Sequence, residues 1–276
     1  MHLLEKIFRP STLPPATGTP PGVRHVSFAS HQCGATGFST GLATFKLGSR
    51  LPYHTHPCSE AVTILQGHAQ VEIEGRTYRL GPLDCAHFPT GVAHQVTNAD
   101  SGSELIAHTA FASAQPTREL TDTPFTVQVR GLGNPLEGEP ETVLRSNEYP
   151  IYELSEGAFF SDLFARRFGA VGICGGYGRF LPGASLPCHT HDYDESITIV
   201  AGTAVSLVQG RRYQLSGYET AFIPRGTPHR FINHSQEEMA MIWVYAGDEP
   251  DRTIVDAGYC SGTIAWPLSP PEVHSG

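Results

Sequence analysis

The sequence has few charged residues and no excess of basic ones. Of its 276 residues, 18 are lysine or arginine and 27 are aspartate or glutamate, so the formal net charge is −9 at pH 7. Nucleic acids and anionic membrane surfaces bind proteins through basic faces. The charge balance therefore argues against both partners. It leaves a small-molecule substrate open, because local charge in a site can oppose the net charge.

The chain also lacks a long apolar run and a regular cysteine framework. No stretch approaches the ~18 to 20 apolar residues of a membrane helix, and its start, MHLLEKIFRPSTLPP, has no signal-peptide pattern. We therefore expect a cytoplasmic protein with no membrane partner. The six cysteines include no CxxC pair. In a reducing compartment they are expected to be free thiols and not disulfides.

One pattern of histidines and a glutamate occurs twice, 135 residues apart. The first copy reads Gly48-x5-His54-x-His56-x3-Glu60-x6-Gly67 and continues as Pro89-x-Gly91-x2-His94-x3-Asn98. The second reads Gly183-x5-His189-x-His191-x3-Glu195-x6-Gly202 and continues as Pro224-x-Gly226-x2-His229-x3-Asn233. Aligned without a gap, 48–98 and 183–233 share 20 identities in 51 positions. A repeat of this length indicates a domain duplication.

The segments between the motif residues predict an all-β protein. They are short, rich in β-branched and aromatic residues, and bounded by Gly, Pro, Asp or Asn, as in ATFKL, AVTIL and SITIV. EGR at 74–76 and QGR at 209–211 predict hairpin turns, and short helical turns are expected within 116–122 and 151–165. The predicted organisation is an N-terminal arm (1–23), an N-terminal barrel (24–115), a linker (116–150), a C-terminal barrel (151–247) and a C-terminal tail (248–276).

The spacing of the repeated residues predicts a metal site in each barrel. Side chains at i and i+2 of a strand point to the same face, so His54 and His56 project together. Glu60 falls on the next strand, and the Pro-x-Gly turn returns His94 toward the same interior. Three imidazoles and one carboxylate suit a divalent transition metal such as Fe, Mn, Ni, Co, Cu or Zn. We expect iron first.

Both copies resemble the two sequence motifs of the cupin family. Each matches G(X)5HXH(X)3–4E(X)6G and the PXG(X)2H(X)3N part of the second motif, whose leading glycine stands at a different distance here. The chain thus resembles a bicupin over about 24–115 and 155–247. The resemblance implies two tandem double-stranded β-helix barrels of jelly-roll type, each holding a metal. The implied ligands are His54, His56, Glu60 and His94 in the first barrel, and His189, His191, Glu195 and His229 in the second.

Further candidate residues come from positions where the two copies differ. Arg179 aligns with Thr44 and would pair with a substrate carboxylate if it points inward; on the outer face it would be a surface arginine. His87 aligns with Phe222 and is either an acid/base residue beside the metal or a hydrogen-bonded wall residue. By resemblance, Glu60 and Glu195 can also act as bases.

Three functions fit the resemblance. Storage bicupins and sugar epimerases generally lack the complete ligand set, which leaves decarboxylases, dioxygenases and pirins. The leading hypothesis is a dioxygenase acting on a small aromatic, phenolic or diketone-type substrate. The alternatives are a non-redox metal enzyme (decarboxylase, lyase, isomerase or hydrolase) and a pirin-like binding protein without turnover. The barrels are expected to pack against each other, and the sequence is compatible with further assembly into a homodimer.

Overall fold

The computed structural model describes residues 4–122 and 124–266, whose regular secondary structure is almost entirely β-strand. The predicted fold class is confirmed: the chain is all-β, with two tandem barrels of the cupin type. The described helical segments are α1 (Ala257–Ser261) and three short 3₁₀ turns at Pro10–Thr12, His31–Cys33 and Arg166–Phe168. Among the described residues, no helix has the length and apolar character needed to cross a membrane.

In the described part of the chain, thirteen strands precede the second barrel in sequence. They are β1 Lys6–Phe8, β2 Val23–Ser27, β3 Ser39–Phe45, β4 Arg50–Thr55, β5 Glu60–Gln66, β6 Ala69–Ile73, β7 Arg76–Leu80, β8 Cys85–Phe88, β9 His94–Asn98, β10 Leu105–Phe111, β11 Glu119–Leu120, β12 Gln128–Gly131 and β13 Thr142–Leu144.

The second half of the chain repeats the pattern. Its strands are β14 Tyr152–Ser155, β15 Ala158–Phe164, β16 Cys174–Phe180, β17 His189–Thr190, β18 Glu195–Ala201, β19 Thr203–Val208, β20 Arg211–Ser216, β21 Thr220–Ile223, β22 His229–Ile232, β23 Met239–Tyr245 and β24 Thr253–Ile254. The short helical turns expected within 116–122 and 151–165 are wrong, since the regular elements there are β11, β14 and β15.

Each barrel is made of two sheets. In the N-terminal barrel the strand orders are β13-β8-β5-β10-β3-β2 and β11-β4-β9-β6-β7-β12; in the C-terminal barrel they are β1-β21-β18-β23-β16-β15-β14 and β20-β19-β22-β17-β24. The predicted hairpin turns are confirmed where β6 meets β7 and β19 meets β20. Glycine is required in the first of them, because a Cβ on Gly75 (φ 89°) would lie 2.3 Å from the Thr126 carbonyl oxygen.

The two barrels pack against each other through the sheets that contain β5 and β18, as expected. One buried apolar cluster combines Ala61 and Cys85 of the first barrel with Phe222 and Val244 of the second. Polar contacts cross the same interface: the Thr40 and Ser196 hydroxyls lie 2.8 Å apart. These sheets are therefore buried on both faces, one against the barrel core and one against the other barrel.

The predicted arm and linker contribute strands that the two halves exchange. β1, from the arm, pairs with β21 of the C-terminal barrel, whereas β13, from the linker, pairs with the equivalent β8 of the N-terminal barrel. The linker also adds β11 and β12 to the N-terminal barrel. Residues 116–150 therefore connect the barrels and also complete the first one. Residues 1–3 of the arm and 267–276 of the tail lie outside the described residues.

Each exchanged strand is anchored by the same ion-pair arrangement. The Glu141 carboxylate accepts hydrogen bonds from Arg76 at 2.7 and 2.8 Å and from the Tyr78 hydroxyl at 2.7 Å. Glu5 receives the corresponding bonds from Arg211 and Tyr213. The duplication therefore extends to Glu5 and Glu141, beyond the aligned segment.

These anchors give a paired prediction about stability. Glu141→Ala should lower the free energy of unfolding by about 3 kcal/mol, because the buried Arg76 loses both short hydrogen bonds to Glu141 and keeps only longer contacts with Glu74 at 3.3 Å and Glu139 at 3.9 Å. Glu5→Ala should lower it by only about 1 kcal/mol, because the Arg211 side chain is 41% exposed, against 10% for Arg76, and water can solvate it. Urea unfolding of both variants tests this; equal losses would contradict the assigned difference in burial.

Candidate metal centres

The four predicted ligands of the first barrel meet in its interior. His54 lies near the end of β4 and His56 directly follows that strand. Glu60 begins β5, and His94 begins β9, where it pairs directly with His54. All four side chains are buried, and their ligand atoms lie within 4.8 Å of one another. Glu60 Oε2 lies 2.9 Å from His94 Nε2 and 3.2 Å from His56 Nε2.

The second barrel brings its four predicted ligands together in the same way. His189, His191, Glu195 and His229 are all buried, and their ligand atoms again lie within 4.8 Å of one another. Glu195 Oε2 is 2.7 Å from His229 Nε2 and 3.6 Å from His191 Nε2, but these atoms do not have hydrogen-bond geometry. Buried polar atoms are rarely left without a partner. The convergence of these three atoms on one point therefore indicates a binding site for a cation between them.

All six imidazoles are held in the orientation that metal binding requires. Nδ1 of each donates to a backbone carbonyl: that of Pro52 (2.7 Å), Thr117 (2.6 Å) and Val92 (3.0 Å) in the first barrel. In the second barrel the acceptors are Pro187 (2.8 Å), Asp251 and Thr227 (2.8 Å). A proton fixed on Nδ1 leaves the lone pair of Nε2 facing the centre of the site.

The protonation states also suit a cation. Burial, reinforced by the charge of His94, lowers the pKa of His54 to about 3, and burial lowers the pKa of His191 to about 4. These imidazoles are therefore neutral at pH 7. Burial raises the pKa of Glu195, but the charges of His191 and His229 outweigh it and bring the pKa to about 2. Neutral imidazoles with an ionised carboxylate are the donor set of a divalent transition metal. The residues of both sites fit one.

The rest of the motif positions these ligands. The Gly91 amide, in the Pro-x-Gly turn before His94, donates to the His56 carbonyl at 2.9 Å, and Gly226 donates to His191 at 2.7 Å. The Asn98 amide donates to the carbonyls of Phe45 and Ser103, both at 3.0 Å. The repeated glycine and asparagine therefore have a structural role.

The two sites differ in the space beside them. The first quartet opens into a cavity of about 400 Å³. The walls of this cavity are mainly apolar, with Phe45, Val62, Val96 and Ala107 among them. Its more exposed lining, which we call the mouth, comes from 16–19, 31–32, 114–116 and Arg118.

In the second barrel, larger side chains stand at the equivalent positions. Strand register places Trp243 where the first barrel has Thr109, Phe160 where it has His25, and Met241 where it has Ala107. All three belong to the buried core. A glycine beneath the indole makes room for it, because a Cβ on Gly176 would lie 2.6 Å from the Trp243 ring.

Two residues of the first cavity were not predicted from the sequence. His25, on β2, lines the cavity and its Nε2 lies 3.0 Å from the Thr109 hydroxyl. Its ring passes over Gly41, where a Cβ would lie 2.7 Å from Nε2. Arg118 follows Thr117, whose carbonyl holds His56, and lines the mouth. His25 and Arg118 lie outside the repeated motif, so no spacing signal identified them.

The structure does not bring Arg179 or His87 to either metal site. The Arg179 side chain is 43% exposed, packs over the Phe159 ring and lies 3.5 Å from Glu238. Of the two alternatives for Arg179, a partner of a substrate carboxylate or a surface arginine, the structure shows the surface arginine. His87 is buried on β8, but Ala86 and Phe88 on either side of it face the barrel core. Strand alternation therefore turns His87 toward the other barrel, and burial lowers its pKa to about 4.

Cysteine pairing corrects another expectation. Cys188, next to the ligand His189, forms a disulfide with Cys260 of α1, so the expectation of free thiols is wrong for this pair. Cys33, Cys58, Cys85 and Cys174 are free. The disulfide fixes the chain segment whose strand β24 pairs with His189 and whose Asp251 carbonyl holds His191. Tertiary contact decides the pairing, since the two cysteines are 72 residues apart.

Comparison with known proteins agrees with this architecture. The family model described as "Cupin domain" matches residues 41–109 and 176–245. The chain belongs to the cupin family and is a bicupin with two metal-binding sites.

Among solved structures, similar folds are found in oxalate decarboxylases. A Bacillus subtilis oxalate decarboxylase mutant superposes with a TM-score of 0.72 and 17% identity, covering 90% of this chain and 79% of that one. The formate complex of the Lactobacillus farciminis oxalate decarboxylase gives a TM-score of 0.73 and 16% identity, with 90% and 88% coverage. A third structure, of the Bacillus subtilis enzyme, is described by its Mn(II) centres.

A curated relative shows local sequence similarity. "Polyketide synthase CurC" of Streptomyces cyaneus is 29% identical over 92 residues, which are 33% of this chain and 60% of that protein. The match therefore spans less than two thirds of the relative.

Proposed function

We propose that this bicupin is a metal-dependent, non-redox enzyme that decarboxylates a small organic acid at its N-terminal site. The observation that carries the proposal is the cavity of about 400 Å³ on the His54, His56, Glu60 and His94 quartet. The oxalate decarboxylase fold of the similar structures supports the same reaction class. It favours the non-redox alternative over the dioxygenase.

The first barrel supplies the groups that such a reaction needs. The quartet would hold the metal, which, when bound, supplies a Lewis acid for substrate oxygen atoms. The apolar walls exclude water from the reacting carboxylate, which strengthens electrostatic interactions there. Manganese is our proposed metal because it is named for one of the similar structures.

His25 is placed to move the proton. When CO2 leaves, the electron pair of the broken carbon–carbon bond remains on the substrate carbon, which must take up a proton. If the Thr109 hydroxyl donates to Nε2, Nδ1 of His25 carries a proton, and no described residue hydrogen-bonds to Nδ1. Burial lowers the pKa of the His25 imidazolium to about 4, so the ring enters the reaction neutral at pH 7. Transfer of the Nδ1 proton to the more basic carbanion leaves His25 as an imidazolate, which the Thr109 hydroxyl stabilises through Nε2 and which takes a proton back from water after the product leaves.

The second barrel is proposed to have a structural role. Trp243, Phe160 and Met241 take the positions that border the cavity in the first barrel, so its metal would stabilise the fold without receiving a substrate. The two sites have the same set of ligand residue types, but the first would act on the substrate and the second would stabilise the fold.

Gas exchange tests the proposed reaction. The Mn(II)-loaded protein should release CO2 from at least one acid in a panel of oxalate and hydroxybenzoates, with no net uptake of O2. His25→Phe, which introduces the residue of the second barrel, should slow CO2 release by about 100-fold, within the range of general acid catalysis. Absence of CO2 from every acid would refute the proposal.

A dioxygenase of an aromatic, phenolic or diketone-type substrate is the second candidate. The observation that favours it is the apolar wall of the same cavity, which accommodates O2 and an aromatic ring. Stoichiometric O2 uptake by the Fe(II)-loaded protein, without CO2 release, would favour this candidate.

A further inference from the structure

The first cavity is much larger than oxalate requires. Pockets of about 300–1,000 Å³ enclose organic ligands of drug size, and the volume here is about 400 Å³. Oxalate consists of two joined carboxylate groups and has no apolar part. Such a dianion would leave most of the apolar wall without a contact. That wall includes Phe45, Leu51, Val62, Val96 and Phe111.

The mouth of the cavity carries an uncompensated positive charge. Arg118 is half-buried and lines the cavity, and one of its nitrogens donates to the Gly18 carbonyl at 3.1 Å. Within 4–122 and 124–266, no carboxylate forms an ion pair with it. A guanidinium holds a carboxylate with two parallel hydrogen bonds. The charge therefore faces the opening through which a substrate reaches the quartet.

The second barrel repeats this arginine beside a site where larger side chains take the positions that line the first cavity. Arg252 follows Asp251, whose carbonyl holds His191, just as Arg118 follows Thr117, whose carbonyl holds His56. Trp243 and Met241 fill the second barrel beside its metal site. Arg252 is thus a matched control for the role of Arg118.

We infer that the first site takes an organic anion with an apolar, ring-sized body. Its oxygen atoms reach the quartet, the ring lies against the apolar wall, and a carboxylate at the far side of the ring pairs with Arg118. The inference rests on the proposed function, in that it takes the first metal site as the substrate site. It departs from oxalate, the substrate named for the similar structures.

Ligand binding to the Zn(II)-loaded protein under nitrogen tests the inference without turnover. Three probes are compared by calorimetry: 3,4-dihydroxybenzoate, catechol, which has the same chelating head but no carboxylate, and oxalate. We expect one 3,4-dihydroxybenzoate per chain, bound about 10-fold to 100-fold more tightly than catechol, as one charge-assisted carboxylate contact provides. It should also bind more tightly than oxalate.

Three variants locate the effect. Arg118→Gln should remove the advantage of 3,4-dihydroxybenzoate over catechol, and Arg252→Gln should leave all affinities unchanged. Ala107→Met, which introduces the residue of the second barrel, should weaken both ring ligands by about 10-fold or more and spare oxalate. Metal content of each variant confirms that the quartets are intact.

The inference is overturned if oxalate binds more tightly than both ring ligands, if neither ring ligand binds, or if Arg118→Gln weakens catechol as much as 3,4-dihydroxybenzoate. Its failure is separate from that of the proposed function. A protein that binds ring anions as expected but releases no CO2 would reject only the decarboxylation.

Discussion

His56→Ala should remove nearly all turnover, whereas His191→Ala should leave most of it. The two residues are equivalent ligands, and each variant should lose about one metal ion per chain. Only the first quartet adjoins the cavity of about 400 Å³. Loss of a Lewis acid worth several kcal/mol should therefore slow CO2 release by about a thousand-fold in His56→Ala.

His191→Ala should act on stability instead. Removing this ligand weakens metal binding among side chains that are otherwise buried without partners, including His229 Nε2 and Glu195 Oε2. A bound metal stabilises only the folded state, so the variant should melt at a lower temperature. Metal analysis, CO2 release and thermal unfolding of the two variants measure all three effects. Equal loss of turnover in both would contradict the separate roles of the barrels.

Removal of the disulfide should cost about 2–4 kcal/mol of unfolding free energy. The bond closes a 72-residue separation, and long closed loops restrict the unfolded chain most strongly. A Cys188→Ser, Cys260→Ser double variant removes the bond without leaving a free thiol at either position. Chemical unfolding with and without a reducing agent measures the loss.

The same variant should loosen the second metal site alone. The Cys188 carbonyl accepts the Val255 amide at 2.9 Å, and the nearby Asp251 carbonyl holds His191. A chelator should therefore remove the second metal faster, while the first stays at the wild-type rate. Cys58→Ser is the matched control, because Cys58 is free and burial raises the pKa of its thiol to about 11, so it is unreactive. Equal acceleration at both sites would refute this coupling.

The ligands were predictable because local rules fix them. Strand alternation places His54 and His56 on one face, and the repeat at His189 and His191 made a chance match untenable. The fold class followed from the same segments, whose short β-branched runs between turn residues form strands in both halves. The hairpin turn predicted at 74–76 joins β6 and β7, and Gly75 within it has a positive φ.

His87 and Arg179 show where alternation stops being informative. All four residues of β8 are buried, because one face of that sheet packs on the barrel core and the other on the second barrel. A strand buried on both faces shows no apolar–polar alternation, so its inward side cannot be read from its sequence. Arg179 points outward on β16, at a position where the sequence left both faces open.

The sequence by itself determined the all-β class, the duplication and both metal quartets, since these depend on short-range spacing that the chain repeats. Only the tertiary structure decided that the cavity of about 400 Å³ adjoins the first quartet. Thr109 and Trp243 are equivalent through strand register and not through the aligned motif. His25 and Arg118 reach one cavity because β2 and the segment before β11 close over the first quartet. The Cys188–Cys260 bond likewise forms because the segment after the second barrel packs beside β17. The spacing of the cysteines alone does not specify that contact.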